Sequence, residues 1–322
     1  MFRKSMMCFV LASAMLASGA GIAHDPRQHG EAFDNRALPL RDGNRSTQAK
    51  RDHVMSCKTD FSNGRGAIAR GDWLNGATWD ATRKVAVRGD VWWPNARFEI
   101  VTQPFRRLLS GTALPTDHPT GSFPVARDDP AARIDPNPNG IAAKEVEIYL
   151  PLEPRVAAQP SCLPMGMIGV MSNGVALFNA LDTFGNDALA HEVQDRCGGH
   201  PERTGLYHYH GNPSCLGGIR EKARLVGYAL DGFGIYTGFD RDGRELTNAD
   251  LDECHSRVGR VVWDGREVEM YHYVLTREYP YTVGCFRGSP VRTAFTGGGA
   301  GPPGGGGGPP GARRPPGPAL RW

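Results

Sequence analysis

The stretch Cys197-Gly198-Gly199-His200-Pro201, followed by Tyr207-His208-Tyr209-His210 and closed by Cys215, sets three histidines between two cysteines. If Leu206 to His210 is extended, His208 and His210 project from one face and Tyr207 and Tyr209 line the other. Two imidazoles on one face, with His200 approaching across a turn, form a donor set for a borderline metal or a proton-transfer site. Neutral imidazole suits zinc, copper, iron or nickel; zinc or copper is the expected ion.

Outward from this stretch, the chain is written mostly in short strands. Lys84 to Val87, Arg97 to Val101, Glu145 to Leu150, Met167 to Met171, Val175 to Asn179, Leu225 to Leu230, Arg260 to Trp263 and Glu267 to Leu275 are β-branched or aromatic runs bounded by Gly, Pro, Asn or Asp. Asp264-Gly265 between two of them signals a two-residue hairpin, and His272 then shares a strand face with Val268, Met270 and Val274. One helix is expected over Ala188 to Arg196, capped by Asn186 or Asp187 and ended by Gly198. A second, short one follows Thr247 over Asn248 to Cys254. Pro115 to Gly140, rich in proline, reads as a long ordered loop. No internal repeat of constant period is visible, although Tyr271-His272-Tyr273 echoes Tyr207-His208-Tyr209.

The ends differ in character. Arg3 and Lys4, the apolar run Phe9 to Leu16 and the small residues Ala17 to Ala23 predict a signal peptide over 1–23. That segment is too short to span a bilayer, and no later run reaches the roughly 18 apolar residues a spanning helix needs. Residues 24–51 read as a flexible leader and 52–292 as the folded domain. From 293 to 322 the chain, mainly Gly and Pro, reads as a disordered tail. An exported chain of this kind is secreted or periplasmic.

Of the seven cysteines, Cys8 falls within the signal segment. The remaining even set, in an oxidising compartment, favours disulfides over thiolate metal ligands. Spacing does not choose among the pairings; Cys57 with Cys162, Cys197 with Cys215, and Cys254 with Cys285 is the one expected. The formal net charge is only +3, with scattered arginines, so a nucleic-acid stripe is not indicated. The expected fold is mainly β, with antiparallel, sandwich-like sheets, one or two short helices and disulfide bracing.

Several ordered blocks resemble a known family. They include Asp117-His118-Pro119-Thr120-Gly121-Ser122-Phe123-Pro124, Asn137-Pro138-Asn139, Ser172-Asn173-Gly174-Val175, Gly185-Asn186-Asp187-Ala188, Asp195 to Pro201, the Tyr207 to His210 motif, Gly227 to Tyr236, Leu251 to Cys254 and Pro280 to Gly288. Over about Leu114 to Pro290 the chain resembles the secreted YHYH proteins. The resemblance implies an exported domain and supplies no reaction. Two positions depart from the pattern: Val274 stands where a full second copy of the motif would have His, and Gly234 where relatives often have Pro.

The metal reading takes His200, His208 and His210 as ligands, with His118 and His272 as further candidates, Asp231 as a group that could orient an imidazole, and Tyr207 and Tyr209 as packing residues behind the ligands. Asp231 could equally accept backbone hydrogen bonds or cap a turn. His191-Glu192-Val193-Gln194-Asp195 resembles a zinc-protease helix with Asp in the last place; Glu192 is its candidate acid or base. Asp240-Arg241-Asp242-Gly243 hints at a calcium loop, but Arg244 and Leu251 occupy ligand positions, so a surface turn is expected. A terminal His24 could chelate copper only if processing follows Ala23. Neither a Gly-x-Ser-x-Gly elbow nor nucleotide-binding glycine spacing is present.

Two other classes stay open. A metal-free module binding an extracellular glycan or protein would use Trp73, Trp79, Trp92 and Trp93 as a platform. A metal-dependent hydrolase or oxidase would need an open coordination position beside the histidines.

Overall fold

Met167–Met171 is buried at every position, as a strand flanked on both edges and covered on both faces must be. The computed structural model describes residues 34–64 and 70–292. The expected signal segment, the first part of the leader and the Gly/Pro tail lie outside the described residues.

In chain order the strands are β1 (Leu38–Pro39), β2 (Arg45–Ser46), β3 (Val54–Met55), β4 (Leu74–Asn75), β5 (Thr78–Trp79), β6 (Phe98–Gln103), β7 (Arg106–Gly111), β8 (Val146–Pro151), β9 (Met167–Met171) and β10 (Ala176–Phe178). They continue as β11 (Gly199–Pro201), β12 (Tyr207–Tyr209), β13 (Leu225–Ala229), β14 (Gly234–Tyr236), β15 (Ser256–Trp263) and β16 (Arg266–Val274). A single turn of α-helix, α1 (Ala188–His191), interrupts them. The chain is mainly β, as its short apolar runs predict.

The main feature is an eight-stranded sheet in the order β11-β12-β10-β9-β13-β14-β16-β15. A three-stranded antiparallel sheet, β6-β7-β8, contributes Leu109, Ile148 and Leu150 to the same core as Ile168, Val170, Val226 and Ile235 of the large sheet. In β8 buried and exposed positions alternate, the signature of a strand with one face on a core. The β15–β16 hairpin turns on Asp264-Gly265, both with positive φ, and Trp263 pairs with Arg266, as that dipeptide predicts.

The eight strands form two matched halves. β9 and β10 make an antiparallel hairpin, β12 then lies parallel to β10, and β11 pairs antiparallel with β12. β13, β14, β16 and β15 repeat this arrangement in the same chain order. The halves meet where β9 pairs antiparallel with β13: Gly227 faces Met171, Ala229 faces Gly169, and Val170 faces Tyr228 at the centre. This register reads the same when Gly169 is exchanged for Gly227 and Met171 for Ala229, so a pseudo-twofold axis passes between Val170 and Tyr228.

The duplication extends to side chains. Asn173-Gly174 and Asp231-Gly232 make the matched hairpin turns, with glycine at φ +86° and +91°, a region β-carbons disfavour. Asp195 Oδ1 accepts from the amides of Cys197 and Gly199, and Asp252 Oδ1 accepts from those of Cys254 and Ser256. The Tyr207 hydroxyl donates to Asp195 Oδ2 and the Tyr271 hydroxyl to Asp252 Oδ2, each at 2.8 Å. A repeat is therefore present, with spacers of unequal length between its conserved points.

The disulfides join Cys57 to Cys162, Cys197 to Cys215 and Cys254 to Cys285, the expected pairing. The last two begin at matched positions of the halves. Four expectations are corrected. Residues 35–51, read as leader, are built in: Leu38 is buried and pairs with Trp79, and Arg45 donates to the Gly185 carbonyl. Lys84 to Val87 makes only an isolated bridge, Val87 to Asp195, instead of a strand. The helix expected after Thr247 is a 3₁₀ turn, Asn248–Asp250, whose Asp250 carboxylate accepts from the Thr247 amide.

The helix expected over Ala188 to Arg196 stops at His191, with Glu192 extended at φ −101°, ψ 139°. Its next carbonyls are occupied. The Lys84 ammonium donates to Leu189 O, the Trp73 indole to Ala190 O and the Val193 amide to Asp135 Oδ2, so the groups that would continue the helix are satisfied from outside it.

Candidate metal centre

Strand pairing assembles the histidines. β11 and β12 put His200 directly opposite His208, and the two-residue period of β12 brings His210 to the same face. The Nε2 atoms of His208 and His210 lie 3.1 Å apart. The Phe178 ring, from β10, stacks on His208 at 3.9 Å and walls the group on one side. Early termination of α1 supplies the fourth member: Glu192 Oε2 lies 3.0 Å from His210 Nε2 and 3.4 Å from His200 Nε2.

The tautomers follow from the partners. His208 Nδ1 faces the Leu206 carbonyl at 3.1 Å and His210 Nδ1 faces the Asn179 carbonyl at 2.6 Å. A carbonyl oxygen only accepts, so both Nδ1 atoms carry hydrogen, and in the neutral rings both Nε2 atoms offer lone pairs. His200 has no hydrogen-bond partner at either ring nitrogen, and Glu192 Oε2 has none despite its closeness to the imidazoles. Four electron-rich atoms thus converge in a buried space. His200, His208 and His210 are 6%, 2% and 4% exposed, and the Glu192 side chain 17%.

The electrostatics reflect this crowding. Burial drives the His208 imidazole well below its ordinary pKa, reinforced by the neighbouring His200 and His210 rings. Burial also pushes His210 down, but the Glu192 carboxylate outweighs it and raises His210. Glu192 is held well below the usual carboxylate range because the charges of His210 and His200 overcome its own burial.

The tyrosines lie on the far face of β12, 5.7 Å apart edge to face. Tyr207 is fixed by Asp195, which also accepts from the Gly121 amide. The Tyr209 hydroxyl, 2.6 Å from His118 Nε2, donates to it and accepts from Asn173 Nδ2. They anchor the strand that carries the histidines and do not touch the donor atoms.

The remaining candidates are placed elsewhere. His118 is occupied by Tyr209 and the Pro119 carbonyl; its cysteine neighbours, Cys197 and Cys215, are joined in a disulfide. His272 lies on β16 in the other half, Nδ1 bound to the Met270 carbonyl. Asp231 takes the backbone-accepting role among its three readings: it accepts from the Tyr273 hydroxyl and from the amides of Arg287 and Gly288. The protease-like helix does not form. His191 contacts Asp42 through Nε2, while Asp195 is bound to Tyr207. Trp73 and Trp79 are buried and Trp92 is 59% exposed, so the four tryptophans make no common platform. The Asp240 carboxylate accepts from the amides of Asp242 and Arg244, the surface turn expected there.

The convergence of Glu192 with the histidines was not legible, because it depends on Lys84 and Trp73 halting a helix from about a hundred residues away in the chain. Phe178 and the Asn179 carbonyl were equally hidden, since the parallel pairing of β10 with β12 brings them in.

Residues 147–248 match the family described as YHYH protein. This segment is a YHYH domain. It holds β8 through β14 and every member of the histidine and Glu192 group, while β15 and β16 lie beyond the matched residues. No curated protein and no solved structure matches the chain. Among the described residues, no helix is long and apolar enough to cross a membrane.

Proposed function

We propose that this YHYH domain is an exported metal-binding domain that holds one transition-metal ion through Nε2 of His200, His208 and His210 and the carboxylate of Glu192. The observation that carries this reading is the pairing of both Nδ1 atoms, on His208 and His210, with carbonyls. It leaves Nε2 lone pairs facing each other at 3.1 Å, beside a carboxylate and an imidazole with no hydrogen-bond partners. An unpaired buried polar group costs about 1–3 kcal/mol, and a shared cation relieves several at once. Ligand atoms around a tetrahedral zinc at about 2.0–2.1 Å lie about 3.4 Å from one another, close to the 3.0–3.4 Å separations here. The three histidines each offer a ligand atom within 4.8 Å of the others.

Burial of all four donors favours a closed, ion-holding site over one that keeps a position for substrate. Glu192 then acts as the fourth ligand instead of an acid or base. The signal-like N-terminus and three disulfides support export to an oxidising compartment.

A second reading is favoured by the raised pKa of His210: a proton, instead of a metal, sits between His208 and His210, balanced by Glu192. Elemental analysis of protein purified from its native compartment separates the two. About one equivalent of zinc or copper in the wild type, lost in the His208→Ala, His210→Ala double variant with the fold retained, is the expected result. Equal metal content in the two proteins overturns the metal reading.

A further inference from the structure

The second half of the large sheet has a cleft where the first half has its histidines. Register makes Arg257 the counterpart of His200 and His272 the counterpart of His208: Arg257 faces His272 across β15 and β16 as His200 faces His208 across β11 and β12. Tyr236 replaces Phe178. It meets the His272 ring edge-on at 5.0 Å, where Phe178 stacks flat on His208. Val274 stands in the place of His210, and the carboxylates that line this cleft, Asp240 and Asp242, come from the turn after β14 and not from a segment matching Glu192. A set of converging lone pairs in one half has become a set that presents a guanidinium in the other.

The cleft measures about 200 Å³ and is lined by Tyr236, Phe239, Arg257, Gly259, Arg260 and His272, among others. Gly259 opens its floor: a β-carbon there would sit 3.2 Å from His272 Cε1 and 3.4 Å from Arg257 Nε. Of the other charges at the rim, two are paired, while Asp242 makes no ion pair among the described residues and offers only its backbone carbonyl, to the Lys222 ammonium. Arg241 pairs with Glu267, and Asp240 with Arg244. The Arg257 side chain has no ion pair or hydrogen bond among the described residues, Arg260 projects from the other face of β15, and His272 uses only Nδ1, leaving Nε2 able to accept.

We infer that this cleft is a second binding site, for a small hydroxylated carboxylate of sugar-acid size. Arg257 takes the carboxylate through its planar fork, an adjacent hydroxyl donates to His272 Nε2, and the apolar ring face rests against the partly exposed Phe239. The volume is of the order of one such unit. This site is independent of the proposed metal.

Isothermal titration with glucuronate, compared with glucose and acetate, tests it. Saturable one-to-one binding of glucuronate is expected, with acetate weaker for want of hydroxyls and glucose weaker for want of charge. Arg257→Gln is expected to weaken glucuronate binding at least tenfold, and Gly259→Ala several-fold by filling the floor. The His208→Ala, His210→Ala variant should bind glucuronate as the wild type does, which keeps this test separate from that of the metal. Absence of saturable binding to the wild type, or unchanged affinity in Arg257→Gln, overturns the proposal. If Arg257→Gln does not fold, Arg257→Lys keeps the charge but loses the fork: weakened binding supports the site and unchanged binding overturns it.

Discussion

Asp195 and Asp252 share a task in the two halves of the large sheet, each gathering two matched amides and a tyrosine hydroxyl, to which Asp195 adds the Gly121 amide and Asp252 the Ser256 hydroxyl. His210 and Val274, at matched positions on the strands those aspartates brace, do not. The scaffold has been kept twice while the chemistry it carries has diverged. Backbone-satisfying groups resist change because their loss strands buried donors. Side chains that project into a pocket are bound by no such constraint, so one half can gather imidazoles while the other gathers a guanidinium.

Replacing the bracing aspartates gives the largest effect and tests whether scaffold and site are separable. Asp195→Ala, at a buried position, is expected to cost about 3 kcal/mol or more in chemical denaturation by orphaning its donors, and to lower bound metal as well. Asp252→Ala, half-buried, should cost less and leave metal content unchanged. Equal metal loss in both would mean that the halves are not independent.

A pH series sharpens the comparison from the side of the second half. Burial, the main cause, lowers His272 to about 4, from an ordinary 6.5. The native ring stays neutral while the unfolded one is charged, so between pH 6.5 and 4 unfolding takes up a proton and the stability owed to neutral His272 declines as pH falls. His255, lowered to about 3 by burial, acts in the same sense. Asp187, raised to about 6 by burial, acts in the opposite sense, because its native form keeps a proton that the unfolded one has lost. The stability difference between wild type and His272→Gln isolates one contribution. It should shift against the wild type by about 1.4 kcal/mol per pH unit within that window and be constant above pH 7; a flat difference from pH 7 to 4 would refute the assignment.

The smallest expected effect comes from making the halves alike. Arg257→His together with Val274→His restores three imidazoles without a counterpart of Glu192. Metal titration should then reveal an additional site, at least tenfold weaker than the first. Detection of the first site alone would show that register does not suffice to place ligands.

Much of the sheet was legible because its strands advertise themselves. Met167 to Met171 matches β9 residue for residue, and Asp264-Gly265 marked its hairpin. β14 was not separable from its loop, because Gly234 carries no strand signal, and β11 is only three residues long. The alternation in Tyr207 to His210 correctly placed His208 and His210 on one face. The duplication is faint in the sequence for a physical reason. Its invariant points are turn residues and aspartates scattered among spacers of unequal length, and the positions that draw the eye, His200 and His210, are those that changed to Arg257 and Val274.

The grip of Lys84 and Trp73 on the carbonyls of α1 has a consequence for when the centre can be filled. In the folded chain Glu192 reaches the imidazoles from the point where these two side chains hold the carbonyls of α1, so the arrangement belongs to the closed N-terminal segment. Under the proposed export and metal binding, a chain threaded unfolded through a translocation channel would lack this centre, so the ion would be acquired at the destination, from whatever supply exists there.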